Sequence, residues 1–153
     1  MREIHRDIVS ALIFSKDGKL LQGMKDPAKG GVYADYWHIP GGGIEANEDK
    51  ISALIREINE EVGVDIAPYS IALVDDKGEG ESEKTIKETG EHVLCKMKFY
   101  VYRVVIDDKN ADEIKTQLND DLASHHWSDL SDLQNMKITP PSVALFKRLG
   151  YLK

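Results

Sequence analysis

GGIEANEDKISALIREINEEVGV, residues 42–64, carries nine residues in the spacing G-x5-E-x7-R-E-U-x-E-E-x-G-U, where U is aliphatic: Gly42, Glu48, Arg56, Glu57, Ile58, Glu60, Glu61, Gly63 and Val64. From average residue usage, a chance match is on the order of one in 10⁹ per starting position. Ile51, Leu54, Ile55, Ile58 and Val62 recur at helical spacing and predict an amphipathic helix. Asn47 is the expected N-cap, and Gly63 sits where a left-handed C-terminal cap belongs. Glu48 and Asp49 suit the positive end of the helix dipole.

Residues three and four apart share a helix face, so Glu57, Glu60 and Glu61 fall within an arc of about 100°. Ala53, one turn earlier, leaves that face uncrowded. The apolar stripe lies broadly opposite. Like charges at these spacings destabilise a helix by a few tenths of a kcal/mol per pair, and they stand toward the end where the dipole repels anions. A Glu-Glu pair alone reads as a solvated surface. The same pair in register with the glycines, Glu48, Arg56 and Gly63 reads as a face that offers oxygens to a divalent cation held against a pyrophosphate. Hard ions such as Mg²⁺ and Mn²⁺ prefer such ligands. No Cys/His spacing suits zinc, and no Ser-His-Asp arrangement stands out.

Working outward, residues 7–14 (DIVSALIF) read as a strand, Asp17-Gly18 as a turn, and Leu20–Met24 as a returning strand. Lys25–Trp37 is a loop, and Gly41–Gly43 let backbone approach a ligand closely. Residues 70–74 are a third strand and 75–90 a mobile loop or exposed hairpin end. Residues 92–106 form the longest strand, by their alternation. An acidic connection over 107–121 holds a helical turn at 113–118, and 123–127 is a short final strand. Thr139 as N-cap, Pro140 at the first position and Gly150 as terminator bracket a last helix.

The 153 residues suit one domain over 1–153, and 41% hydrophobic with 31% charged residues is an ordinary globular balance. No apolar run reaches the roughly 18–20 residues that cross a bilayer, so no membrane partner is expected. The first residues lack a signal-peptide pattern. The single Cys95 excludes an internal disulfide and reads as an inert strand residue in a reducing cytoplasm. The net charge of -7, with no basic cluster, argues against a nucleic-acid partner. It does not argue against a nucleotide bound through a metal.

The 42–64 segment resembles the Nudix hydrolases at every defined position of their signature. The resemblance implies an α+β fold, an α/β/α sandwich around a mixed β-sheet. It implies Mg²⁺-dependent (or Mn²⁺-dependent) attack of water on a nucleoside diphosphate linked to another group. Among substrates, a nucleoside triphosphate, with a damaged base among the options, ranks first. A nucleotide sugar or dinucleotide polyphosphate ranks next. Glu57, Glu60, Glu61 and the Gly41 carbonyl would hold the metal, and Arg56 would pair with Glu48 and orient Glu57. The general base would be Glu57 or a later acid, of which Asp121 is preferred over Asp120 and the acids of 79–91. Tyr33, Tyr36 and Trp37 could stack a base, Lys25 could meet a phosphate, and Ser142 lies in the Pro140-Pro141-Ser142 turn that resembles a base-pocket wall. His125 and His126 receive no role. A nucleotide-sensing module without turnover would show degenerate carboxylates, and this chain has none. An interaction protein with an acidic helix would show no cation dependence. A homodimer is left open.

Overall fold

The computed structural model of the chain describes all residues except 27, 29–32 and 118–121. β1 (Arg2–Ser15) runs through the centre. It turns at Asp17–Gly18, with Gly18 at φ 80, into β2 (Leu20–Lys25). β3 (Trp37–His38) and β4 (Gly41–Gly43) are short. Helix α1 (Lys50–Val62) follows, then β5 (Ile71–Asp75), β6 (Glu79–Thr85) and β7 (His92–Ile106). β8 (Leu122–Ser128) and α2 (Pro140–Arg148) complete the chain, with short 3₁₀ turns at Ala111–Glu113 and Leu130–Asn135.

The sheet runs β3-β2-β1-β7-β5, with β4 on β1, β6 on β7 and β8 on β2. β1 and β7 are parallel, in register from Arg2↔Val93 to Ser15↔Ile106, while the other strand pairs are antiparallel. The sheet is therefore mixed, as the α/β/α sandwich requires. β1 meets β2 at Phe14↔Leu20, but farther back Ile8, Val9 and Ser10 take Gly43, Gly42 and Gly41 instead. That switch brings the glycines beside the centre of the sheet.

The period of two in β1 divides its side chains between two cores. Val9, Ala11 and Ile13 meet Leu54, Ile58 and Val62 of α1 together with Tyr102 and Val104 of β7. Leu12 and Phe14 meet Val101, Leu145 and Phe146 on the side of α2. Burying a Leu or Ile side chain of this kind stabilises by about 1.5–3 kcal/mol. Cys95 is 2% exposed, inside the sheet. Among the described residues, no helix is long and apolar enough to cross a membrane.

Two local expectations are corrected and a third is narrowed. The α1 N-cap is Asp49, whose Oδ1 accepts from Ser52 N–H at 2.7 Å, while Asn47 lies in a left-handed turn at φ 65. Asp49 sits three residues before Ser52, so its short carboxylate reaches the open N–H that Asn47 cannot. Over the described part of 113–118 the expected helical turn gives way to a turn at Ala111–Glu113, where Glu113 reaches back to Asn110 N–H at 2.9 Å and Ile114 turns extended; residue 118 lies outside the described residues. Of the two readings of 75–90, the hairpin end holds: residues 79–85 are a full strand, paired from Glu79↔Lys98 to Thr85↔His92, and polar side chains hid only its extent.

Candidate active site

The motif helix and the glycine strand are tied through one guanidinium. Arg56 donates to Glu48 through Nε at 2.7 Å and NH2 at 2.9 Å. Its NH2 also reaches the Gly43 carbonyl at 3.1 Å. Its NH1 reaches Glu57 Oε1 at 2.9 Å and Glu60 Oε2 at 3.1 Å. Glu48 turns back as well, accepting from Glu45 N–H at 3.0 Å. The Arg56 hydrogen bonds, more than any other cause, hold the Glu48 carboxyl down at about 2. Forked charge-assisted bonds of this kind fix both partners in direction as well as distance. The Arg56–Glu48 pairing expected from the sequence is therefore present, with Arg56 also bridging Glu57 and Glu60.

The glycines are close-approach positions. A Cβ on Gly42 would stand 2.2 Å from Glu57 Oε2, and one on Gly43 would stand 1.9 Å from Arg6 NH2. Successive residues of a strand face opposite ways, so β4 separates a carboxylate on one side from a guanidinium on the other. Gly63, at φ 73, caps α1 by donating its N–H to Asn59 O, as its place in the motif predicts.

Glu57 and Glu60 converge on one nitrogen, whereas Glu61 is half-buried and lines the cleft described below. Among the described residues, no three His, Cys, Asp or Glu side chains stand in an arrangement that would hold a metal ion. The sequence placed the three glutamates on one face; the arrangement divides that face between Arg56 and the cleft. The donor set still fits a hard divalent cation. It is all oxygen, the Glu57 and Glu60 carboxylates already share a cationic partner, and Gly41 lines the same cleft as Glu61.

That cleft has a volume of about 800 Å³. Ile8 and Ser10 of β1 and Met97, Phe99 and Val101 of β7 form its floor, because their alternate positions face α2. The start of α2, from Thr139 to Ser142, closes one side, and Lys77–Glu79 close another. His38 also lines it. Its Nδ1 lies 3.0 Å from the Ile39 carbonyl, an oxygen that can only accept, so Nδ1 carries the hydrogen. Its buried Nε2 has no partner among the described residues, and burial pushes its pKa down. On β8, His125 stands opposite Gly23; burial lowers its pKa too, against a hydrogen bond to the Glu61 backbone.

Of the residues named from sequence, Gly41, Glu61, Lys25, Tyr33 and Ser142 all line the cleft. Tyr33 is 42% exposed, and its ring meets Tyr36 edge-on at 5.3 Å. Ser142 is buried and its Oγ accepts from Thr139 Oγ1 at 3.0 Å. Trp37 is not among the cleft-lining residues: its backbone pairs with Met24 and bonds to Lys137 and Thr139, and its ring lies 5.6 Å from His126. Asp120 and Asp121 lie outside the described residues. Sequence reading missed Arg6, His38, Lys77, Met97 and Phe99, while Glu79, one of the acids of 79–91, lines the cleft. The alternation of β7 was the available signal for Met97 and Phe99.

A family model described as the NUDIX domain matches residues 4–149. A "Nucleoside triphosphatase NudI" of Klebsiella pneumoniae is 29% identical over 152 residues, covering 96% of this chain and 98% of that protein. An "RNA pyrophosphohydrolase" of Gluconacetobacter diazotrophicus is 39% identical over 66 residues, 41% of this chain and only 40% of that relative's length. The crystal structure of a MutT protein from Methanosarcina mazei Go1 superposes with a TM-score of 0.64 at 20% identity, covering 98% and 96% of the two chains.

Proposed function

Because this chain belongs to the Nudix hydrolase family, we propose that it hydrolyses a phosphoanhydride bond in a nucleoside 5′-triphosphate, releasing a nucleoside monophosphate and pyrophosphate. The observation that carries this is Arg56. One side chain ties the glycine strand to Glu57 and Glu60, and the neighbouring Gly41 and Glu61 line the cleft. The length-matched likeness to a nucleoside triphosphatase supports a compact substrate.

Glu57, Glu60, Glu61 and the Gly41 carbonyl would hold Mg²⁺ or Mn²⁺. Such an ion supplies charge neutralisation and alignment of the phosphate chain. Arg56, anchored by Glu48, sets the direction of the Glu57 and Glu60 carboxylates. In the reaction, a water oxygen bonds to the phosphorus bearing the nucleoside while the bridging bond breaks in line. Pyrophosphate leaves with that bond's electron pair. The water's proton passes to a carboxylate base, assigned here to Asp121. The apolar floor of Ile8, Met97 and Phe99 takes the nucleoside end, with Tyr33 and Ser142 beside it and Lys25 meeting a phosphate. Water is the only co-substrate, and the chain's work is to orient and neutralise.

The deciding experiment is a panel of nucleoside triphosphates, including oxidised bases, with ADP-ribose, a dinucleoside polyphosphate and a 5′-triphosphorylated RNA. Each is incubated with Mg²⁺ or Mn²⁺ and its products are identified. Release of pyrophosphate from a nucleoside triphosphate is the expected result. Preferential cleavage of ADP-ribose or of the RNA would replace the substrate class, and no divalent-dependent cleavage of any member would end the hydrolase reading.

A further inference from the structure

The end of β5 is fastened to the last turn of α2. Arg148 donates through Nε to Asp75 Oδ2 and through NH2 to Asp75 Oδ1, both at 2.9 Å. The Asp75 side chain is only 6% exposed, and its carboxyl is held below the usual range, chiefly by Arg148. Its Oδ1 also accepts from Lys77 N–H at 3.1 Å. One buried carboxylate thus orients both the helix end and the turn that follows β5.

That turn is a wall of the cleft. Lys77, Gly78 and Glu79 line it, as does Arg148 itself. The Gly78 carbonyl accepts from Phe99 N–H at 3.0 Å. Added Cβ atoms on Gly78 and Gly80 would stand 3.3 and 3.2 Å from the Phe99 side chain, so the backbone lies flat against the cleft floor. The spacing between this wall and the start of α2 therefore depends on the Asp75–Arg148 fork. The fork belongs to β5 and α2, not to the glycine strand or the motif helix that carry the phosphate-side groups.

We propose that Asp75 and Arg148 are a positioning pair that sets the width of the cleft and so governs how tightly the nucleoside end is held, without acting on the reacting phosphate. This rests on the reading that the cleft takes the nucleoside. A bidentate fork is a geometric device, which a lysine cannot reproduce even though it keeps the charge.

Asp75→Asn and Arg148→Lys test the pair, with Phe99→Ala as an independent probe of the floor. Steady-state kinetics use the best nucleotide of the panel. Its analogue with a methylene α–β bridge gives a dissociation constant independent of turnover, and thermal unfolding checks that each variant is folded. The expected result is a KM and an analogue Kd raised about tenfold in both clasp variants, with kcat within about twofold of the parent. Should Asp75→Asn unfold, Arg148→Lys, which keeps the charge, carries the comparison. An unchanged KM and Kd in the folded variants overturns the pair's role, as does a fall in kcat at constant KM. If Phe99→Ala raises KM and the clasp variants do not, the clasp alone is refuted. If Phe99→Ala also changes nothing, or the analogue does not bind the parent, the cleft reading falls and the clasp with it.

Discussion

Gly42→Ala separates the fold from the chemistry more sharply than any change to a carboxylate. The added Cβ would stand 2.2 Å from Glu57 Oε2 and 2.3 Å from its Cδ. Non-bonded heavy atoms settle at roughly 3.5 Å or more, so the Glu57 carboxylate must retreat by about 1 Å. The obstacle is the end of a flexible side chain, and the strand itself can stay in place. The stability loss is then limited to a weakened Arg56–Glu57 bond, now 2.9 Å long. Partly buried charge-assisted bonds of this kind contribute about 1–2 kcal/mol. That corresponds to a few degrees in Tm for a chain of this size. A misplacement of about 1 Å in a catalytic group, by contrast, slows turnover about 10²-fold. The assay pairs thermal unfolding with initial rates at saturating Mg²⁺ and nucleotide. Gly43→Ala is the control, since its Cβ would meet Arg6 NH2 on the other side of the same strand. A Gly42→Ala protein that is folded and turns over at the parent rate would refute the placement of Glu57 at the reacting centre.

Glu60→Gln is expected to abolish turnover while leaving the Tm within about two degrees, because the carboxylate is largely solvated at 57% exposure; equal Mg²⁺-dependent rates would remove Glu60 from the metal site. Asp121→Asn should lower kcat at least tenfold if Asp121 is the base, and an unchanged kcat would return that role to Glu57 or to the acids of the β6 hairpin. The Glu48 carboxyl lies at about 2 in the folded chain against an ordinary value of 4.5. Its stabilisation is therefore complete above about 4.5 and disappears as pH falls from there toward 2. The stability gap between the parent and Glu48→Gln should close across that window in urea titrations at stepped pH, and a gap independent of pH would contradict the Arg56–Glu48 fork. Leu54→Ala removes a fully buried side chain from the core under α1 and should destabilise by about 2–5 kcal/mol in denaturant titration.

Where one residue's neighbours lie close in the chain, the sequence was readable. The α1 stripe, the Gly63 cap, the Asp17–Gly18 turn and the Pro140 start of α2 all follow from local chemistry. The first residues of β1 did not read as strand, since Arg2 to Arg6 are extended by their partners in β7 rather than by any preference of their own. β4 is three glycines, the poorest strand formers, and exists because β1 offers Ile8, Val9 and Ser10 as partners. At the site, the Arg56–Glu48 pair was legible because the motif fixes it. The Asp75–Arg148 fork was not: seventy-odd residues separate its ends, and only the folded sheet brings them together. That Trp37 lies off the cleft was hidden for a similar reason, since its bridge partner Ile138 is remote in the chain.

The parallel union of β1 with β7 also orders events during biosynthesis. Arg2 waits for Val93, and Ser15 for Ile106. A ribosome releases the whole signature segment before the strand that completes its floor has been made. Until then the apolar stripe of α1 faces a half-built sheet, a state prone to sticking to its neighbours. A nascent chain stalled before residue 92 would carry every signature residue and still lack a working enzyme.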